Sequence, residues 1–142
     1  MERMGRLVKF LAVKSVLELG FVAGLALTFY LAAFPTSFRG SLDVANSTEI
    51  EGWAFDMSAP EATVSIQLFI NDRFVAQAAA NAPRPDIVAS GLASDQLHGF
   101  AFRTPELPPG HYEVRVYVTY VSKSLKLGTL QEIGNPASFD VK

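Results

Sequence analysis

Between Leu19 and Phe34 the chain carries no charged residue, and this run of 16 residues constrains how everything after it can fold. Val16 and Leu17 extend the run across a lone acid, Glu18. A membrane-spanning helix needs about 17–25 mostly apolar residues. Residues 15–34 therefore suffice, provided Glu18 sits at an interface. The predicted organisation is a basic segment over residues 1–14, a transmembrane helix over 15–34, a linker over 35–40 and one domain over 41–142.

Arg3, Arg6, Lys9 and Lys14 precede the span, against Glu2 and Glu18, and only Arg39 follows it closely. An excess of Lys and Arg marks the cytoplasmic side. The N-terminus is therefore expected in the cytoplasm and the domain in the periplasm, with the span in a bacterial inner membrane. A cleaved signal peptide is the rival reading. Its apolar core is shorter, at about 7–15 residues. Leu31 also occupies the third position before a cut after Ala33, where a small residue is needed. The span is expected to be retained.

Lys14 and Glu18 are four residues apart and share a helix face. Tyr30 and Phe34 suit the opposite interface, and Pro35 is the expected helix stop. Gly20, Gly24, Thr28 and Ala32 recur every fourth residue and form a ridge of small side chains. Such a ridge lets a second helix approach closely, which in lipid replaces the hydrophobic drive to associate. Glu18 adds to this, because an ionisable group near membrane depth faces protein or water. The expected partners are membrane lipid and other membrane-protein subunits.

The chain has no cysteine, which removes disulfides, thiolate metal sites and Cys nucleophiles. From Arg39 onward eight Lys and Arg stand against twelve Asp and Glu, a net of −4. No basic patch emerges, so nucleic acid is not an expected partner. His98 and His111 are the only histidines and do not have metal-ligand spacing. No serine lies in a nucleophile motif, and no Gly-rich phosphate loop exists outside the span. Asp56, Asp72 and Asp95 are isolated turn acids. No catalytic, cofactor-binding or metal-binding residue is expected, and the reading is non-enzymatic.

The domain alternates in the manner of strands. Ser41–Val44 is a candidate edge strand. In Thr48–Asp56, Trp53 and Phe55 lie on one side and Ile50, Gly52 and Ala54 on the other. Val64, Ile66, Leu68 and Ile70 alternate with polar residues, Asn71-Asp72-Arg73 turns, and Phe74–Ala78 returns. Asn81–Leu97 breaks the alternation, with a short helical turn expected over Asp86–Leu92. Gly99–Arg103, Tyr112–Tyr120, Lys123–Leu127 and Ala137–Val141 complete the set. The fold class expected is mainly β: an antiparallel sandwich of seven or eight strands behind one N-terminal helix. No helical crossover separates the strands, which excludes a parallel sheet.

Gly52-Trp53-Ala54-Phe55-Asp56, Arg84-Pro85-Asp86-Ile87 and His98-Gly99-Phe100 follow in that order. Their combination resembles a bacterial immunoglobulin-like module of the kind appended to cell-surface proteins and to some glycosyltransferases. The resemblance implies a β-sandwich that binds or spaces rather than catalyses. The same residues have structural readings. Trp53 is read as a core aromatic between the sheets, with a ligand platform as the alternative. Arg84 and Asp86 pair or tie down the long loop, and Gly99 permits close backbone approach beside Trp53.

The expected function is a non-catalytic accessory subunit of a larger membrane complex. Photosynthetic reaction-centre and antenna assemblies, respiratory complexes and secretion machines recruit subunits of this build. The alternative is a membrane-tethered binding module for envelope glycans, hence carbohydrate, or for a protein ligand. That reading needs an exposed aromatic strip, for which Phe69, Tyr117 and Tyr120 are the candidates.

Overall fold

A computed structural model describes residues 2–34, 37–122 and 125–142. Helix α1 runs from Glu2 to Ala33, 32 residues. At 1.5 Å per residue that is about 48 Å, against about 30 Å for the hydrocarbon core of a bilayer. Its Gly5–Ala33 portion is long and apolar enough to cross a membrane. The helix is thus in place from Glu2, well before Ser15, and residues 2–14 of the basic segment form its first turns. Leu, Arg, Lys and Met are strong helix formers. The charges mark where lipid could end, not where the helix does. Lys14 Nζ and Glu18 Oε1 pair at 3.2 Å across one turn. Pro35, the expected stop, lies outside the described residues.

Among the described residues nine strands follow: β1 (Phe38–Ala45), β2 (Glu49–Asp56), β3 (Ser65–Ile70), β4 (Arg73–Ala79), β5 (Ala82–Pro83), β6 (Leu97–Arg103), β7 (Gly110–Val121), β8 (Gly128–Glu132) and β9 (Ala137–Val141). A short helix, α2 (Pro85–Ala89), links β5 to β6. One sheet has the order β1-β2-β6-β5 and the other β4-β3-β7, with β8 and β9 both pairing along β7. All pairings are antiparallel. This is the strand order of an immunoglobulin-like sandwich with one added edge strand, β4.

The two-residue β5 brings the strand count to nine, above the expected seven or eight. β1 starts at Phe38, inside the expected 35–40 linker. The closing strand falls at Gly128–Glu132 instead of Lys123–Leu127. Leu125 is in a turn, while Lys123 and Ser124 lie outside the described residues.

The core fills from both sheets. Ile50, Ala54, Phe100 and Phe102 meet Ile66, Leu68, Ile70, Val114, Val116 and Val118, with Ile133 at one side. Strands β3 and β7 alternate buried and half-buried positions, as period-two patterning requires. Gly52 faces inward beneath Phe100. A Cβ there would stand 2.6 Å from Phe100 Cζ and would strike the Ser41 carbonyl oxygen. At the start of β7 the Tyr112 hydroxyl donates to the Pro108 carbonyl at 2.8 Å, and its ring stacks on Phe139. This is the tyrosine corner of immunoglobulin-like sandwiches.

The expectation that Trp53 fills the space between the sheets is wrong. Ile50, Gly52 and Ala54 are the inward set of β2, and Trp53 is half-buried on the outer face. Small residues on β2 face the core because the Phe100 and Phe102 rings on β6 already supply the volume there.

The sandwich is fastened to the helix at one end. Thr129 Oγ1 donates to the Ala33 carbonyl at 2.9 Å, and Ala33 is 1% exposed. The Met57 N–H donates to the Ser37 carbonyl at 2.7 Å, and Phe38 meets Tyr120 edge-on at 5.7 Å.

Candidate functional site

The sequence motifs converge on the outer face of the β1-β2-β6-β5 sheet. Trp53 and Gly99 are register partners across β2 and β6. The Trp53 ring stacks on Phe55 at 5.7 Å, and Phe55 in turn meets His98 at 5.2 Å. Arg84 follows β5 and lies over Gly99. A Cβ on Gly99 would stand 2.9 Å from Arg84 Cγ and 2.9 Å from the Ala82 carbonyl oxygen. Gly99 therefore grants the close approach anticipated for it, though chiefly to Arg84 and β5.

The Arg84 guanidinium makes a two-pronged contact with Asp86. Nε donates to Oδ1 at 2.8 Å and Nη2 to Oδ2 at 2.7 Å. Nη1 reaches Asp43 Oδ2 at 2.8 Å. Asp43 sits at the irregularity in β1 between Leu42 and Val44. A bulge of this kind re-aims the side chain it carries. The Arg84 side chain is only 23% exposed. Its hydrogen bonds to Asp86 hold that carboxyl below the usual carboxylate range. Those same bonds, with Asp43 behind them, raise the Arg84 pKa still further. The guanidinium is thus fully engaged and clasps the long loop to the far edge of the sheet.

The remaining motif residues go elsewhere. Asp56 caps its own turn, accepting from the Ser58 N–H at 2.8 Å and the Ser58 hydroxyl at 2.6 Å. Phe100 is in the core. Sequence reasoning missed Asp43, which lacks any local pattern and becomes a partner only through the bulge.

The outer face of the second sheet is different. Phe69 meets Tyr117 at 5.1 Å and Phe74 at 5.8 Å, both edge-on. Phe74 is 56% exposed. Beside this ledge Gln67, Gln77 and Ser65 form a hydrogen-bonded row across β3 and β4. Arg115 pairs with Glu113 at 2.7 Å and approaches Glu132 at 3.7 Å. Hydrogen bonding to Glu113 raises the Arg115 pKa. Tyr120 does not join the ledge, because it packs on Phe38 at the helix end. Phe74 was missed, although the Phe69–Phe74 pairing follows from the register of the β3–β4 hairpin.

On α1, Gly20 and Gly24 have open space where a Cβ would sit. The Thr28 hydroxyl donates to the Gly24 carbonyl at 2.8 Å within the helix, so the ridge presents a smooth small-residue flank. Glu18 is paired with Lys14. Among the described residues no group of three or more His, Asp or Glu side chains is placed to hold a metal ion. The histidines stand apart: His98 is buried with Nε2 3.2 Å from Asp95 Oδ1, and His111 is exposed with Nδ1 2.9 Å from Asp140.

The fold and its two faces define an immunoglobulin-like sandwich carried on a helix of membrane length. No protein family, curated protein or solved structure matches the chain.

Proposed function

We propose that the protein is a non-catalytic, single-pass accessory subunit of a larger bacterial inner-membrane complex. Its N-terminus lies in the cytoplasm and its sandwich in the periplasm. The observation that carries this reading is the joint between the two parts. The apolar flanks of α1 stand exposed along nearly its whole length, while its last turn is fixed to β8 through Ala33 and Thr129. A simple tether needs no such joint. A subunit that must present helix and domain to the same neighbour does. The small-residue ridge supplies the helix contact. A photosynthetic reaction-centre or antenna assembly is the particular complex proposed within this class.

The test is blue-native electrophoresis of gently solubilised membranes. The wild type migrates with a large complex, and Gly20→Ile with Gly24→Ile shifts it to its own mass. Wild-type migration alone would defeat the subunit reading. It would leave the second one, a tethered binder of envelope glycans or a protein ligand, which the Phe69–Phe74–Tyr117 ledge favours.

A further inference from the structure

The exposed apolar side chains of the domain are unevenly placed. Beyond α1 and Phe34, the exposed large apolar residues among those described are Met57, Val88, Leu97, Val121, Leu127 and Leu130, together with Phe74. The first six share the end of the sandwich that the helix enters. Met57 follows the β2 terminus paired with Phe38, and its N–H bonds Ser37. Leu97 opens β6 at the level of Pro83, from which α2 carries Val88. Val121 closes β7 opposite Gly128, next to the Thr129 that bonds Ala33. Leu127 and Leu130 flank that bond along the chain. Phe74 alone is at the far end, beside the β3–β4 turn.

We propose that this helix-side end is itself a lipid-contacting surface, seated in the headgroup layer chiefly by Val121, Leu127, Leu130 and Met57. The inference rests on α1 crossing the membrane. Scattered exposed apolar residues are ordinary on soluble domains. The gathering of six of these seven at one end is not, and that end adjoins the segment that would enter the bilayer. Headgroup and interfacial layers reach about 5–8 Å beyond each side of the hydrocarbon core, and the direct bond between Ala33 and Thr129 holds β8 within that zone. Lys126 lies in the same stretch as Leu127 and suits anionic headgroups. The surface thus continues the lipid contact of the helix.

The absence of cysteine makes the test clean. Single nitroxide labels are placed by Val121→Cys, Leu127→Cys, Phe74→Cys and Phe21→Cys on the full chain. The labelled proteins are reconstituted alone in phosphatidylcholine–phosphatidylglycerol vesicles. Labels at 121 and 127 should collide with a water-soluble nickel chelate severalfold less often than the label at 74, and with oxygen more often. The label at 21 should be the most deeply immersed. If 121 and 127 are as aqueous as 74 while 21 is immersed, the lipid-contact inference fails and the anchor stands. If 21 is aqueous too, both fall.

Discussion

The two outer faces of the sandwich both carry aromatic side chains, yet one is clasped by an arginine and the other is not. Over β1-β2-β6-β5, Arg84 crosses Gly99 to reach Asp43, and Trp53 lies stacked on Phe55. Over the second sheet no described loop crosses Phe69, Phe74 and Tyr117, of which Phe74 is exposed and the other two are half-buried. Connection length accounts for the difference. β5, α2 and their flanking turns occupy the stretch between β4 and β6, long enough to fold back over its own sheet. β3 and β4 are joined by Asn71 and Asp72, both with positive φ (48° and 60°). That is the tight hairpin geometry that suits Asn and Asp, and it leaves no chain to cover the ledge. Covered aromatics stabilise the domain, and uncovered ones are available for contact.

Three substitutions test this contrast. The largest effect belongs to Gly99→Val. A side chain there collides with the Ala82 backbone and displaces Arg84, and should lower stability by about 3 kcal/mol, read from the urea midpoint. A midpoint within error of wild type would mean that the clasp is not tightly seated.

Arg84→Ala comes next, at about 2 kcal/mol, because Asp43 is left partly buried without its partner. Its effect also depends on pH. The Asp86 carboxyl titrates lower in the folded protein than in the unfolded chain. Its stabilisation is therefore present above about pH 4, the unfolded value, and is lost as pH falls through the lower folded one. Thermal melts of wild type and Arg84→Ala should accordingly draw together in acid. A gap that stays constant down to the acid limit would show that the pair adds nothing.

The smallest effect is that of Phe74→Ser on the bare face, less than about 0.5 kcal/mol. If the ledge binds a ligand, the same change abolishes binding while leaving the melt alone. A loss of stability equal to that of Arg84→Ala would erase the distinction between the faces.

The strands were legible where one face is apolar and the other polar. β3 and the central part of β7 satisfy that rule, and β9 spans the expected Ala137–Val141. Strand β8, GTLQE, alternates in burial but carries no apolar-polar alternation in its sequence, and it is recognised only through its pairing with β7. Which side of β2 faces inward could not be read locally. Its larger aromatics are outside, because the inward volume is supplied by residues about fifty positions later in the chain, Phe100 and Phe102. The Arg84–Asp86 pair was legible because it is local, and its third member, Asp43, was not because it is remote. The tyrosine corner was likewise hidden. A Tyr four residues after a Pro in a turn becomes a corner only once both sheets exist.

The bond between Ala33 and Thr129 also fixes a bearing. With the helix end gripped by the first residues of β8, the sandwich is held at one angle to the helix. A neighbour packed on the Gly20–Gly24 flank would thereby set which way the Phe74 ledge looks. Turning the small-residue register by one position around the stalk, with no change to the sandwich, would point that ledge at a different part of the surroundings, by about 100°.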